Sequence, residues 1–313
     1  MEKERVLIIK LGALGDFVIS VGGMLSLRKK HPNARFTLMT GSLYVNIARH
    51  MGLFDDYIID NRNSYWDFAD KLRLARQLKK GKFDYIYDFQ CTSRTENRYF
   101  ALIKHLYTKP FIWHDQRKAL ERVVTPRSCF RPSKVEMREA TPLPVERDRL
   151  EFMHAAPGLV ESLPRPYVLM IPGCSPTHPH KRWPAASYGA LARRLAEHGI
   201  YTVAIGTRDE AAEVRCVAAA SDKVVSLLNK ISLADIPDLA RHALAAVGND
   251  TGPSHMAAVT GSPLIGLFAT RTKKCSLQGR QTHNIISPGT IDLISPDTVW
   301  DALLPFIGPH LKK

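Results

Sequence analysis

The stretch Gly248-Asn249-Asp250-Thr251-Gly252-Pro253-Ser254-His255-Met256-Ala257-Ala258 decides how this chain is read. The apolar run 243–247 before it has the length of a buried strand, and a second strand-like run, 263–268, follows Gly261. The order is strand, turn, helix, strand. Asp250 and Thr251 are the residue types that cap a helix. Pro253 suits a first helical turn, where its missing N–H costs nothing. The amides of Thr251, Gly252 and Ser254 would then sit at the positive end of a helix, a good position for a phosphate. His255, in the same turn, can add a proton donor or a charge. An ordinary capped helix would also explain Asp-Thr-Gly. The crowding of polar groups at the carboxyl end of a strand favours a ligand site, because open α/β sheets bind ligands there.

Outward from this stretch, strands alternate with helices. Strands are expected at 5–10, 36–40, 57–59, 85–89, 111–113, 167–171, 201–206 and 224–227. Helices are expected at 17–30, 43–51, 66–80 (with Gly81 as its C-cap), 96–106, 187–198, 233–241 and 299–307. Such βαβα order argues parallel, doubly wound sheets. The 313 residues are enough for two domains. Pro157-Gly158 and Pro164-Arg165-Pro166 punctuate the chain, so the domains are expected at 1–156 and 157–313.

The segment 115–134 breaks the pattern. Arg117, Lys118, Arg122, Arg127, Arg131 and Lys134 face only Asp115 and Glu121, which reads as a mobile basic loop followed by a helix at 145–156. A charge run is often only a solvated face. In a chain of net charge +14, the run also suits an anionic acceptor. The five cysteines are scattered and form no CxxC pair, which argues against a zinc site or a disulfide framework. The opening apolar run is too short for a signal peptide or a membrane span, so the expectation is cytoplasmic. His178 and His180 lie among prolines without a nearby carboxylate, and no metal is expected. Lys181 and Arg182 are suited to phosphate oxygens. Glu210, at the exit of the strand 201–206, could hold a ribose hydroxyl or simply start a helix.

At the amino end, Leu11-Gly12-Ala13-Leu14-Gly15-Asp16 makes a strand-to-helix turn without the third glycine of a dinucleotide fingerprint, which argues against a dehydrogenase. An acid there repels phosphate. Asp16 suits a proton acceptor or a contact to sugar hydroxyls, with a plain N-cap as the alternative.

Three motifs in order resemble the ADP-heptose:lipopolysaccharide heptosyltransferases of glycosyltransferase family 9. They are Ile8-Ile9-Lys10-Leu11-Gly12-Ala13-Leu14-Gly15-Asp16, Lys181-Arg182-Trp183-Pro184, and Asp250 to Ala258 continuing to Gly266-Leu267-Phe268. The resemblance implies a GT-B architecture, two Rossmann-like domains with the active site in the cleft between them. It implies metal-independent, inverting transfer of heptose from ADP-heptose to the lipopolysaccharide inner core, with no further cofactor. Asp16 would be the base and Lys181 a phosphate contact. Thr251, Gly252 and His255 would form the diphosphate cradle with Asp250 beside them; the Ser254 amide and Glu210 at the ribose are added from the reading of the residues above. The basic residues themselves add the expectation of an anionic glycolipid acceptor that would meet Gly15, Arg94, Arg117, Lys118 and Arg122 in the amino-terminal domain, and of loose contact with the inner membrane surface. The chain departs from the family at Cys91, where glycine is usual, at Val21-Gly22-Gly23, and at 269–274. Another nucleotide-sugar is the first alternative. The second is a basic anion- or nucleic-acid-binding protein, but the chain has no nucleic-acid motif, and no nucleic-acid partner is expected.

Overall fold

The computed structural model describes residues 3–62, 67–116, 120–125, 133–139, 153–270 and 276–312. The chain divides into two units, Met1–Glu146 and Arg147–Lys313.

In the first unit, β1 (Arg5–Ile9), β2 (Arg35–Thr40), β3 (Asp56–Ile59), β4 (Tyr85–Asp88) and β5 (Phe111–Asp115) run parallel. The helices between them are α1 (Leu14–Lys30), α2 (Val45–His50), α3 (Phe68–Gly81) and α4 (Ala101–Leu106), the last preceded by a π-helical turn over Thr95–Phe100. Two further strands, β6 (Leu120–Thr125) and β7 (Lys134–Glu139), extend the sheet antiparallel, giving the order β3-β2-β1-β4-β5-β6-β7 among the described residues. The expected basic loop is therefore wrong over these residues. Leu120, Val123, Val124 and Val135 give 120–125 and 134–135 enough β-branched and apolar character to pair, and the cations ride on the strands. Residues 145–152 of the helix expected at 145–156 lie outside the described residues, and 153–156 are not helical.

Two element ends also differ from the sequence reading. Helix α1 starts at Leu14 rather than Phe17, so Asp16 sits inside its first turn and is not the N-cap; Ala13 holds that position. Gly81 remains helical in α3, and Lys82 takes the left-handed cap conformation, φ 47°.

The second unit has β8 (Tyr167–Ile171), α5 (Ala185–Glu197), β9 (Tyr201–Ala204), α6 (Ala211–Ala218), β10 (Val224–Ser226), α7 (Ile236–Arg241), β11 (Ala245–Asn249), α8 (Gly252–Ala258), β12 (Leu264–Phe268), β13 (Thr282–Ile286) and α9 (Pro296–Ile307). Its sheet is wholly parallel, in the order β10-β9-β8-β11-β12-β13. Strands buried on both faces read as continuous apolar runs. All five residues of β8, β11 and β12 are buried. Strand order reverses between β1 and β4 in one unit, and between β8 and β11 in the other. Each reversal opens a crevice at the carboxyl ends of the strands, the usual place for a ligand in such sheets.

Candidate active site

At the second unit's crevice, the exits of β8 and β11 are tied by one side chain. Asn249, fully buried at the end of β11, donates from Nδ2 to the carbonyls of Pro172 (2.7 Å) and Gly173 (3.3 Å). Its Oδ1 accepts from the Trp183 amide and the Tyr188 hydroxyl, both at 3.1 Å. This amide uses donors and acceptor together, so the loop after β8 is fixed to the strand beside it. Trp183 closes the far end, donating from Nε1 to the Ile294 carbonyl at 2.8 Å. Sequence reading passed over Asn249, although its place at a strand end beside Asp250 was the available signal.

The loop held in this way delivers Lys181. Its Nζ lies 2.7 Å from Asp250 Oδ2, and His255 Nε2 lies 3.6 Å from Asp250 Oδ1. Asp250 and His255 are buried, and Lys181 is mostly covered. Burial alone would raise the Asp250 carboxyl. Hydrogen bonding from His255 and Lys181, with their charges, outweighs it and holds the group below the usual carboxylate range. The carboxylate is therefore a fixed counter-ion between two cationic or cationisable groups.

The neighbouring residues divide. Arg182 is occupied: it pairs with Glu213 and donates to the Cys174 carbonyl at 2.7 Å. Of the adjacent cations, then, only Lys181 faces Asp250, while Arg182 is engaged by Glu213 and the Cys174 carbonyl. Thr251 holds the N-cap position of α8 without a side-chain cap bond, so neither its hydroxyl nor the Asp250 carboxylate serves as the cap. The first backbone bond of α8 runs from the His255 amide to the Thr251 carbonyl, 3.1 Å. The amides of Gly252 and Ser254 precede it. The Ser254 hydroxyl is turned into the protein: a Cβ on Gly248 would lie 2.3 Å from Ser254 Oγ, and that oxygen is buried. Only the backbone of Ser254 is in place for a ligand.

Beside this cluster is a cavity of about 160 Å³. Ile171, Ile205, Ile231, Leu233, Ile236 and Pro253 make its apolar wall. Thr207, Glu210, Ser232 and Thr251 are its polar groups. Glu210 does start a helical turn: its Oε2 accepts from the Thr207 amide (2.8 Å) and hydroxyl (2.6 Å). It lines the cavity as well, so the two readings of this residue are compatible. Gly173 makes room for it, since a Cβ there would fall 1.9 Å from Glu210 Cγ.

In the first unit, the exit of β1 carries Gly12 at φ 118°, a conformation that suits glycine. A Cβ on Gly12 would meet the Tyr44 ring at 2.5 Å. The Leu11 amide donates to Gln90 Oε1 at 2.9 Å, which ties the β1 exit to the β4 exit. Gly15 and Asp16 follow in the first turn of α1, with the Asp16 side chain exposed.

Two cations of the expected acceptor set, Arg94 and Arg122, are paired within the unit. Arg94 donates from Nε to the Tyr99 hydroxyl (2.8 Å) and reaches the buried Asp60 at 3.5 Å. Arg122 is buried on β6, bonds Glu96 at 2.6 Å and covers the Phe100 ring. It lines a separate cavity of about 210 Å³ with Asp88, Cys91, Thr92 and Asp115. Arg94 is held by Asp60, just after β3, and Arg122 by Glu96 of the Thr95–Phe100 turn, partners that the sequence alone did not place. Arg117 and Lys118 lie outside the described residues, as do 271–274 of the divergent loop after β12.

One departure from the family has a visible cost. Cys91 takes φ 46°, where glycine is favoured. Its amide donates to Asp88 Oδ1 at 2.8 Å, and its thiol to the Asp88 carbonyl at 2.8 Å. These bonds hold a conformation that a side chain rarely adopts.

Comparison with known proteins agrees with this geometry. A family model for glycosyltransferase family 9 (heptosyltransferase) matches residues 105–287, more than half of the chain. A lipooligosaccharide heptosyltransferase 2 of Haemophilus influenzae is 34% identical over 110 residues. That alignment covers 33% of this chain and 31% of the relative, so the match spans about a third of either protein. Among solved structures, an E. coli heptosyltransferase with ADP superposes with a TM-score of 0.71 at 18% identity, covering 98% of this chain and 99% of that one. A family 9 glycosyltransferase of Veillonella parvula gives 0.72 at 18%, covering 99% of each chain. The chain thus has the GT-B fold of these heptosyltransferases, and it belongs to glycosyltransferase family 9, the heptosyltransferase family.

Proposed function

We propose that this protein transfers heptose from ADP-heptose to the inner core of lipopolysaccharide, with inversion at the anomeric carbon and without a metal ion. The observation that carries the reading is the Lys181–Asp250–His255 cluster beside the apolar cavity at the β8/β11 crevice. The adenine would enter the cavity against Ile205, Leu233 and Ile236, with the ribose toward Thr207 and Glu210. The diphosphate would lie at the start of α8, near the amides of Thr251, Gly252 and Ser254, with Lys181 and His255 beside it. A similar E. coli enzyme was solved with ADP, which agrees with this donor.

The chemistry then follows from the residues. An acceptor hydroxyl is a poor nucleophile until a base takes its proton, and Asp16 is the group offered at the β1 exit. The hydroxyl oxygen attacks the anomeric carbon from the side opposite the departing ADP, which inverts the centre. Negative charge grows on the leaving phosphate, where Lys181 and the α8 amides stabilise it. Asp250 holds Lys181 and His255 in place before the donor arrives. Residues 1–156 would carry the acceptor, an anionic glycolipid, and 157–313 the donor.

Calorimetry with ADP, UDP and GDP, each with and without EDTA, tests the donor. The expected result is selective ADP binding that EDTA does not change. Lys181→Ala and His255→Ala are expected to weaken ADP roughly tenfold or more, the scale of one charge-assisted phosphate contact. Preference for UDP or GDP would replace the donor, and unchanged ADP affinity in both variants would remove the cradle.

A further inference from the structure

We propose that the solvent face of α3 is a docking surface for an anionic lipid bilayer. The helix buries Leu74, Leu78 and Gly81. At 100° per residue these define one side, and Phe68, Ala69, Leu72, Arg76, Lys79 and Lys80 lie on the opposite, exposed side. That side carries two apolar residues one turn apart followed by three cations, and no carboxylate. Phe68 is 68% exposed and Leu72 51%, an unusual pair to leave in water on a helix with its own core-facing stripe. The flanking charges are accounted for: Asp70 pairs with Arg73, and Lys71 lies over the Phe68 ring at 5.1 Å. Arg76, Lys79 and Lys80 project from the exposed side itself.

Position adds to composition. The amino end of α3 follows β3, so Phe68 stands at the carboxyl edge of the sheet. Leu43, 79% exposed, lies in the Ser42–Tyr44 turn after the neighbouring strand β2 and so stands at the same edge. This is also the edge from which the Gly12–Asp16 turn leaves β1. Helices with this arrangement lie in the plane of a membrane interface, with apolar side chains among the acyl chains and cations against anionic headgroups. A soluble polyanion would satisfy Arg76, Lys79 and Lys80 but would leave Leu72 without a partner. Among the described residues no helix is long and apolar enough to cross a membrane. The contact inferred here is peripheral and independent of the nucleotide reading.

The test is co-sedimentation of the full chain with vesicles of phosphatidylcholine, alone or mixed with phosphatidylglycerol. The expected result is binding to the mixed vesicles only, weakening as salt rises. Phe68→Ser with Leu72→Ser, and separately Arg76→Glu with Lys79→Glu and Lys80→Glu, should each weaken it by about tenfold or more. Arg193→Glu with Arg215→Glu and Lys312→Glu, three exposed cations of the other unit, should have a much smaller effect. Circular dichroism and melting should be unchanged in all of them, since the side chains are exposed. Failure of the unaltered chain to bind mixed vesicles would overturn the proposal. So would equal losses in the two charge-reversed triples, or binding indifferent to Phe68 and Leu72. Self-association that disappears in the Phe68/Leu72 variant would also overturn it, by making a second copy the occupant. ADP affinity should not change in any variant, so this inference and the donor reading fail separately.

Discussion

The exits of β1 and β11 share one plan and differ in electrostatics. Each follows a central parallel strand at a point where strand order reverses, and each carries an acid near the start of a helix. Asp16 is exposed in the first turn of α1. Asp250 is buried and held between Lys181 and His255. An exposed carboxylate can receive a proton from a ligand. A buried one engaged by two cationic groups is already committed and can only position them. Under the proposed function, the same topology would serve proton transfer in one unit and anion stabilisation in the other.

The sharpest way to break this contrast is Asp16→Ala. If Asp16 is the base, turnover should fall by roughly 10²–10⁴-fold, the usual contribution of a positioned base, with the melting temperature almost unchanged. Turnover left intact would reduce Asp16 to a helix-terminal charge worth under about 1 kcal/mol. Gly12→Ala attacks the backbone that presents Asp16. The new Cβ would sit at φ 118° and press on the Tyr44 ring. A loss of about 2–4 kcal/mol in denaturant unfolding is expected from the strained φ and the overlap together.

Acid titration separates the units. His114, on β5, stacks on Tyr87 at 4.2 Å and is buried. Burial, then the charges of Lys30 and His31, lower its pKa to about 3, although Glu121 Oε1 lies 3.1 Å from Nδ1. The folded form keeps His114 neutral while the unfolded chain takes up a proton below about 6.5. Stability should therefore fall as pH drops below 6.5, by up to about 1.4 kcal/mol per pH unit. His114→Gln should flatten that slope. Asp250 acts in the other window. Its folded pKa lies below 3.8, so its contribution is present above that value and is lost as pH falls through the folded pKa. Between pH 7 and 4 the pH slope of melting should thus respond to His114→Gln, whereas Asp250→Asn should lower the melting temperature across the whole range without changing that slope. The smallest effect expected is at Cys91: Cys91→Gly should stabilise by up to about 1 kcal/mol, because relief of the left-handed φ exceeds the lost thiol bond and the entropy of glycine. Unchanged unfolding would mean that the Asp88 bonds already offset the strain.

The central parallel strands were legible because they bury short apolar runs, which depend little on distant partners; β13, with no buried residue, was not read. The motifs at Asp16, Lys181 and Asp250 were legible for a similar reason, since turn chemistry is local. What could not be read has the opposite cause. Among the described residues, strands β6 and β7 pair only with β5 and each other, and their cations disguised them as a loop. Arg182 reads like Lys181 until Glu213, thirty-one residues away, claims it. Arg94 and Arg122 likewise read as free cations until Asp60 and Glu96 are brought to them. The exposed side of α3 was missed because a helical sequence does not say which of its faces the sheet will cover.

The sequence by itself determined the alternation of strand and helix, the three motifs and the surplus of positive charge, because those rest on local backbone preference and composition. Only the tertiary structure decided which cations stay free to meet a ligand. An ion pair depends on which residues the fold brings within a few ångströms, and here those partners come from other elements of the chain.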